Sequence, residues 1–456
     1  MAQLEHQDIQ GFLLSAYGHL PCATYLLLRV TDAAAGRRWL ARLAESVTTA
    51  EGRQEGFSLN VALSSTGLSK LGLGGAALDT FPRAFREGMA TEHRAKLLGD
   101  SKQSAPSEWR WGNEQTPVDI LLLVFAADER ALDVELGRQR DWIQTASGIE
   151  EVLALSAGRQ PDTKEHFGFA DGIGQPVIEG SGRLPRQLNR TGHATVLKAG
   201  EFILGYEDDY GFAPITPRAQ GMEDFGRNGT YLVFRQLQQH VAEFWRFLDE
   251  ATRRPEGTSD PEARERLAAK LVGRWMSGAP LVKYPSADPH AGTSTLSSEN
   301  DFAYDEPDAH GFACPIGAHI RRSNPRDALG PDPQTALKSA NRHRLLRRGR
   351  SYGHRLDDPF VADETERGLH FICLNGDIER QFEFVQQTWL NNTTFAGLHC
   401  ESDPVVGNQD DTSRRFTVQA DPLRLRVENL RSFVTVKGGA YFFLPGLKAL
   451  RYLTTL

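Results

Sequence analysis

Cysteine is scarce in this sequence. Cys22, Cys314, Cys373 and Cys400 are scattered through 456 residues with no CxxC pair, so neither a disulfide framework nor a zinc site is expected. No uninterrupted apolar stretch reaches the roughly 18 residues of a membrane span, and the start, Met1-Ala2-Gln3-Leu4-Glu5-His6-Gln7-Asp8, has no basic segment leading into an apolar one. Neither an anchor nor export is expected, and a reducing cytoplasm is the simplest compartment. A basic excess is missing too: 52 Lys and Arg stand against 59 Asp and Glu, for a formal charge of -7. Arg321-Arg322 and Arg347-Arg348 are clusters too short for a nucleic-acid partner and suit small anions better.

What the sequence does have is length and a regular alternation of apolar patterns. Its 456 residues exceed one ordinary core and imply two or three domains. Tyr25 to Val30 reads as a buried strand, and Ala33 to Ala50 as a helix with Trp39, Leu40, Leu43 and Val47 at helical spacing. Ser58 to Leu63 alternates as a strand; Ser65 to Leu71 reads as a short helix capped by Ser65 or Thr66. Gly72-Leu73-Gly74-Gly75-Ala76-Ala77 imitates a dinucleotide fingerprint, but it follows a helix instead of a strand and is read as a turn. Trp109 and Trp111 fall in a polar stretch expected to be a surface loop. Val118 to Phe125 is the strongest strand of the first half, Asp128 to Thr145 the helix after it, and Ile149 to Ser156 the strand that closes the unit.

That order is the ferredoxin-like β-α-β-β-α-β pattern, an antiparallel sheet covered by helices. The second half repeats it: strand Thr230 to Arg235, helix Val241 to Thr252, strand Gly368 to Leu374, helix Asp377 to Asn391, strands Phe433 to Val436 and Tyr441 to Leu444, and a last helix from Leu447 to Leu453. The expected fold is therefore α+β, two ferredoxin-like halves in a barrel-like arrangement, divided as residues 1–200 and 201–456. Pro176 to Pro217 and Tyr284 to Asp308 read as long irregular connections, and loops of that length are often functional.

One stretch stands apart. His166-Phe167-Gly168-Phe169-Ala170-Asp171-Gly172-Ile173-Gly174-Gln175-Pro176 is too rich in glycine for a helix or a central strand. Its glycines, Gly172 among them, let backbone pass close to a flat ligand, and Phe167 and Phe169 supply apolar wall. Asp171 would then project into a partly dry pocket as a proton-transfer group, or else brace the turn.

This loop, together with Cys314-Pro315-Ile316-Gly317-Ala318-His319-Ile320-Arg321-Arg322-Ser323-Asn324-Pro325-Arg326 and His343-Arg344-Leu345-Leu346-Arg347-Arg348-Gly349, resembles the dye-decolorizing peroxidases, a haem peroxidase family. The GxxDG signature falls at Gly168 to Gly172, the family's iron-ligating histidine matches His319 and its distal arginine matches Arg347. Weaker likeness runs from Asp8-Ile9-Gln10-Gly11 to Phe442-Phe443-Leu444-Pro445-Gly446, nearly the whole chain.

The resemblance implies a haem b (iron protoporphyrin IX) cofactor and a reaction in which hydrogen peroxide oxidises a small or bulky organic donor, dye-like or phenolic. His319 is the implied iron ligand, with His310 and His166 as rivals. Asp171 is the implied acid-base group. Arg347, or its neighbour Arg348, is the implied charge stabiliser, and a guanidinium beside Asp171 would keep that base ionised under acidic conditions. A ligating histidine donates its other N–H to a carboxylate; Glu383 is the candidate for this, with Glu379 and Asp377 open. Leu369 and Phe371 match positions that wall the distal pocket, and Arg321, Arg322 and Arg326 are candidate propionate contacts. Tyr352 and Trp389 are candidates to relay electrons from bulky donors. A haem carrier or sensor without rapid turnover is the competing reading, and the oligomeric state stays open.

Overall fold

A computed structural model of the chain describes residues 3–52, 54–409 and 414–456. Its centre is a nine-stranded sheet. The first four strands are β1 (Cys22–Val30), β2 (Phe57–Leu63), β3 (Ile120–Ala126) and β4 (Ile149–Gly158). Val177–Ile178 (β5) and Val196–Leu197 (β6) form a small parallel pair apart from it. The second half adds β7 (Thr230–Gln239), β8 (Leu346–Arg347), β9 (Arg350–Tyr352) and β10 (Gly368–Asn375). The hairpin β11 (Arg415–Val418) and β12 (Leu425–Glu428) stands alone, and β13 (Val434–Leu444) returns to the large sheet.

Strand order is β7-β13-β2-β3-β1-β4-β9-β10-β8, and β10 also pairs with β7 along its whole length, so the sheet closes on itself. The two halves meet in this ring through Phe443 opposite Leu63 and Gly158 opposite Ser351. Closure explains the uninterrupted apolar runs. Leu26, Leu28, Leu122 and Val124 face a core shared with Trp39, Leu40 and Leu43 of the helix Ala33–Ala44, while Tyr25, Leu27, Leu121 and Leu123 face a second core with Phe12, Phe202 and Phe234. With both faces covered, a strand cannot alternate apolar and polar residues.

Most elements expected from the sequence are present, with shifted ends. The helix from Ala33 stops at Ala44, and the short helix Ser65–Lys70 is capped one residue earlier than expected, by Ser64 Oγ accepting from Gly67 N. Phe433 to Val436 and Tyr441 to Leu444 are one strand. Gly438 and Gly439 break the expected pattern, and β13 accommodates them with a register shift between Val436 and Gly438. Trp109 and Trp111 are not on the surface: both are buried, and Trp111 Nε1 donates to Gln236 Oε1 at 2.8 Å. The stretch after Asp377 winds as two π-helical turns, Glu379–Glu383 and Val385–Leu390, a winding that clusters at functional sites. The region from Pro176 to Pro217 is less irregular than expected, for it carries the helix Leu184–Thr191 between β5 and β6.

Candidate active site

The chain emerges from β4 into the glycine-rich loop, where Gly168 and Gly172 adopt positive φ of 98° and 79°. At Gly168 a side chain would also meet Met276, so the sharp turn needs glycine there for two reasons. Glu165 holds the loop from inside, accepting from Phe167 N and Phe169 N at 2.8 Å each. Asp171 Oδ1 accepts from Gly172 N at 2.6 Å and from Arg347 Nη1 at 2.8 Å. Arg347 is fixed by β8, where it pairs with Cys373 of β10 and its backbone N–H reaches Gln175 Oε1 at 3.0 Å.

Asp171 keeps 41 % of its side-chain surface accessible, but that surface opens onto cavities inside the protein. Burial therefore pushes its carboxyl up; the Arg347 charge, the Gly172 N–H and the Arg347 hydrogen bond outweigh it and hold the group below its ordinary value.

His319 opens the short helix His319–Ser323. Its Nδ1 lies 3.0 Å from Asp403 Oδ2, while Nε2 has no hydrogen-bond partner among the described residues. Asp403 is completely buried, and its Oδ1 accepts from Val405 N and Val406 N at 2.9 Å each. Burial works against a charged imidazole, but the charge and hydrogen bond of Asp403 prevail and raise the His319 pKa.

The structure does not bring Glu383 to His319. Glu383 is buried elsewhere, accepting from Arg94 Nη1 at 2.5 Å and Tyr441 Oη at 2.8 Å, and Glu379 joins the same Arg94 cluster. Asp377 takes no part either; it accepts from Arg380 N at the start of the π-helical turns. The carboxylate on the histidine comes instead from the loop after those turns.

Asp171, Arg347 and His319 line one cavity of about 720 Å³, together with Phe169, Leu369 and Phe371. Arg326 also lines it, donating to the carbonyls of Asn300 and Phe302 and to Asn300 Oδ1. Arg321 does not: it is buried against Asp308 and Cys314 O, over the Tyr304 ring. Arg322 is likewise fully buried and donates to the carbonyls of Gly317, Trp389, Asn392 and Glu401. Gly172 lies outside this cavity, on the wall of an adjoining one. Arg348 turns away from Asp171, towards the carbonyls of Phe12, Leu13 and Arg347. Of the rival histidines, His166 is buried with Nε2 at 2.8 Å from Tyr352 O, and His310 is exposed beside Phe312. Tyr352 stacks on His370, its ring centroid at 4.5 Å, and donates to Glu366; Trp389 packs edge-on to His343 and Phe384.

No protein-family model matches the chain, but individual proteins do. It is 31% identical over 478 aligned residues to a dye-decolorizing peroxidase of Exidia glandulosa, covering 99% of this chain and 87% of that one. It is 32% identical over 419 residues to the multifunctional dye peroxidase DyP2 of an Amycolatopsis strain, covering 87% and 82%. The chain belongs to the dye-decolorizing peroxidases. Solved structures agree: an ancestral D-type dye-decolorizing peroxidase superposes with a TM-score of 0.79 at 28% identity over 99% of both chains. The fungal DyP-type peroxidase of Auricularia auricula-judae superposes with a TM-score of 0.79 at 26% identity over 100% of both. Dye-decolorizing peroxidases are haem-containing oxidoreductases that use hydrogen peroxide.

The cavity fits that cofactor. His319 offers an unpartnered Nε2 on a ring fixed by its other nitrogen. Arg274, Arg326 and Arg344 line the cavity, and their hydrogen bonds run only to carbonyls and to Asn300, with no carboxylate partner among the described residues. Burial pushes the Arg274 and Arg344 guanidinium groups down, to about 10 and about 9, and a carboxylate ligand would relieve that cost. Sequence reasoning found Arg326 here but missed Arg274, Arg344 and Asp403. Arg274 and Asp403 lie in segments without a motif of their own, whereas Arg344 lies inside the His343 to Gly349 stretch, three residues before Arg347.

Among the described residues no helix is long and apolar enough to cross a membrane.

Proposed function

We propose that this chain is a haem b peroxidase in which His319 ligates the iron, Asp171 carries the proton and Arg347 stabilises charge as hydrogen peroxide oxidises a dye-like or phenolic donor. The observation that carries this reading is the convergence on one cavity of an Asp171–Arg347 pair and a His319 whose Nδ1 is held by buried Asp403. A peroxidase solved as a complex with 2,6-dimethoxyphenol superposes on this chain with a TM-score of 0.78 at 25% identity, which supports a phenol as one donor. When bound, haem supplies the redox-active iron that accepts two oxidising equivalents from peroxide and returns them to donors.

The chain's own residues supply the rest. Asp171 Oδ would take the proton from one oxygen of a peroxide molecule in the cavity and return it to the other, the outer oxygen, which would leave as water. The Arg347 guanidinium opposes the negative charge that gathers on that outer oxygen as the O–O bond breaks. Because the carboxyl of Asp171 is held below its ordinary value, the base stays ionised in acid where an unaided imidazole is protonated. Leu369 and Phe371 keep the reacting atoms dry, so these charges act in a poorly screened space. Asp403 orients the imidazole and raises its electron-donor strength. Arg326 holds a propionate, with Arg274 and Arg344 beside it. Phe169 would give the macrocycle apolar wall, and Gly172, with its positive φ, makes the turn that carries Asp171. Tyr352 and Trp389 serve as relays to donors too large to enter. Residues 1–200 contribute the proton carrier, and residues 201–456 the iron ligand and the arginine.

Haem-loaded wild type and His319→Ala, mixed rapidly with a slight excess of peroxide at acidic and neutral pH, test this. A histidine-ligated Soret band that shifts within the mixing time in wild type alone is expected. Haem that binds and only bleaches slowly would leave a carrier, and a protein that takes up no haem would end the assignment.

A further inference from the structure

Glu165, Asp171, Arg347 and Leu369 line both the main cavity and the adjoining one. Asp171 and Arg347 have tasks in the chemistry above and Leu369 is apolar wall; Glu165 is a second carboxylate beside the proton carrier with no task yet. Its side chain folds back over its own loop. Oε2 accepts from Phe167 N and Oε1 from Phe169 N, at 2.8 Å each. The Glu165 main chain closes the same turn, its N–H donating to Phe169 O at 3.0 Å and its carbonyl accepting from Gly168 N at 2.9 Å, and Lys164 bridges to Ala170. Asp171 is the next residue.

A third donor comes from the sheet. Gln239 Nε2 reaches Glu165 Oε2 at 2.6 Å, and Gln239 is itself fixed in β7, with its N–H on Arg367 O and its backbone opposite Val434 of β13. The residue type at 165 follows from this count. Three N–H donors converge on two oxygens, which a carboxylate satisfies; an amide in its place would turn its NH2 group against another donor. Aspartate, one methylene shorter, serves the N–H two residues on but falls short of the one four residues on. Burial and the Asp171 charge push the Glu165 carboxyl up, and the three donors pull against them.

We propose that Glu165 is a positioning residue for the peroxide reaction: its carboxylate closes the turn and anchors it to β7, and so holds Asp171 against Arg347 in the cavity. For its kinetic consequence this rests on the peroxidase reading; the clamp itself is tested without peroxide.

Amide hydrogen exchange at single-residue resolution on the haem-loaded protein reads the clamp, and stopped-flow mixing with peroxide reads its consequence. In Glu165→Gln the Phe167 and Phe169 amides are expected to exchange about tenfold faster than in wild type. The rate of reaction with peroxide is expected to fall about 10–100-fold, as for a reacting group held out of place. Glu165→Asp keeps the charge and loses the reach, so it is expected to protect Phe167, expose Phe169 and react nearly as slowly as the Gln variant.

The pH profile separates aim from mere stability. The charges that act on Asp171 are Arg347 from β8, His319 across the cavity and Glu165 in its own loop. Burial opposes the Asp171 charge and Arg347 does most to offset it, so a loosened turn that lets the carboxylate leave Arg347 should move the acid limb of the peroxide rate to higher pH. A limb that moves to lower pH would show that Glu165 acts through its charge alone. A slower rate with an unmoved limb would show that it only stabilises the fold. Either result overturns the proposal, as would unchanged amide exchange in Glu165→Gln or wild-type speed in Glu165→Asp. A wild type inert to peroxide would sink the peroxidase reading, whereas an active wild type matched by both variants would sink the positioning role alone.

Discussion

The histidine side and the aspartate side of the cavity are built in contrasting ways. His319 is held by a carboxylate with no exposed surface, and the loop bearing that carboxylate is tied to the His319 helix by Arg322, whose guanidinium gathers carbonyls from three segments. Asp171 sits on a glycine-rich turn, and its partner Arg347 keeps 35 % of its side-chain surface accessible. The difference matches the tasks proposed for them. An iron ligand must not move, so the carboxylate behind it is buried and hydrogen-bonded. A proton carrier must meet successive peroxide and water molecules, so it is left open to the space they enter.

Substitutions that should act on one side only can break that comparison. The largest effect is expected for Asp171→Asn, which keeps the shape but removes the base: the rate of reaction with peroxide should fall by roughly 10²–10⁴ while the resting spectrum stays that of wild type. Stopped-flow mixing measures both. A changed resting spectrum would show that the two sides are not independent.

Arg347→Leu is expected to slow the same reaction by about 10²–10³, and it also has a pH signature. In wild type the base is lost only as pH falls through a value below the ordinary 3.8, because the arginine charge and hydrogen bond, together with the Gly172 N–H, outweigh burial. Without that charge burial raises the carboxyl, so the acid limb of the pH–rate profile should move to higher pH. An acid limb that stays in place would mean that Arg347 does not set the pKa of Asp171.

On the other side, Asp403→Asn should cost about 10–100-fold in haem retention or turnover and raise the iron reduction potential, read by spectroelectrochemistry. It should also change acid stability. Asp403 is depressed below its ordinary 3.8, so the stability it contributes is present above that value and is lost as pH falls through the lower folded value. The variant should lack that component of acid unfolding. The smallest effect on the site is expected for Glu383→Gln, which weakens the Arg94 cluster: stability should fall by about 1–3 kcal/mol in denaturant titrations with no change in the Soret band. A shifted band would tie Glu383 to the iron after all.

The error over Glu383 shows where sequence reading stops. Glu383 looked right because it lies on the segment after the Gly368 strand, where the resemblance implies an acidic partner, but which face of that segment meets His319 depends on how it winds and packs, and it winds as π-helical turns with Glu383 directed at Arg94. Asp403 lies 84 residues beyond His319, in a loop with no motif. Arg321 misled for a related reason: arginines after a turn look free, but this one closes the loop at Asp308 and Cys314. Trp109 and Trp111 looked exposed among polar neighbours because burial depends on what packs over a segment, here β7 and β13.

By itself the sequence determined what local chemistry can determine. Strands and helices followed from apolar periodicity, the turn around Asp171 from its glycines, and the family from three short motifs in order. Tertiary structure decided the rest: closure of the sheet by β10 on β7, and the meeting of Asp171 with Arg347, 176 residues away. It also decided the choice of Asp403 over Glu383 and the gathering of Arg274, Arg326 and Arg344 around one cavity. The physical reason is range. Backbone preference and hydrophobic periodicity act over a few residues and leave a mark in the sequence, whereas a hydrogen bond or an ion pair depends on which distant segments the closed sheet brings within about 3 Å.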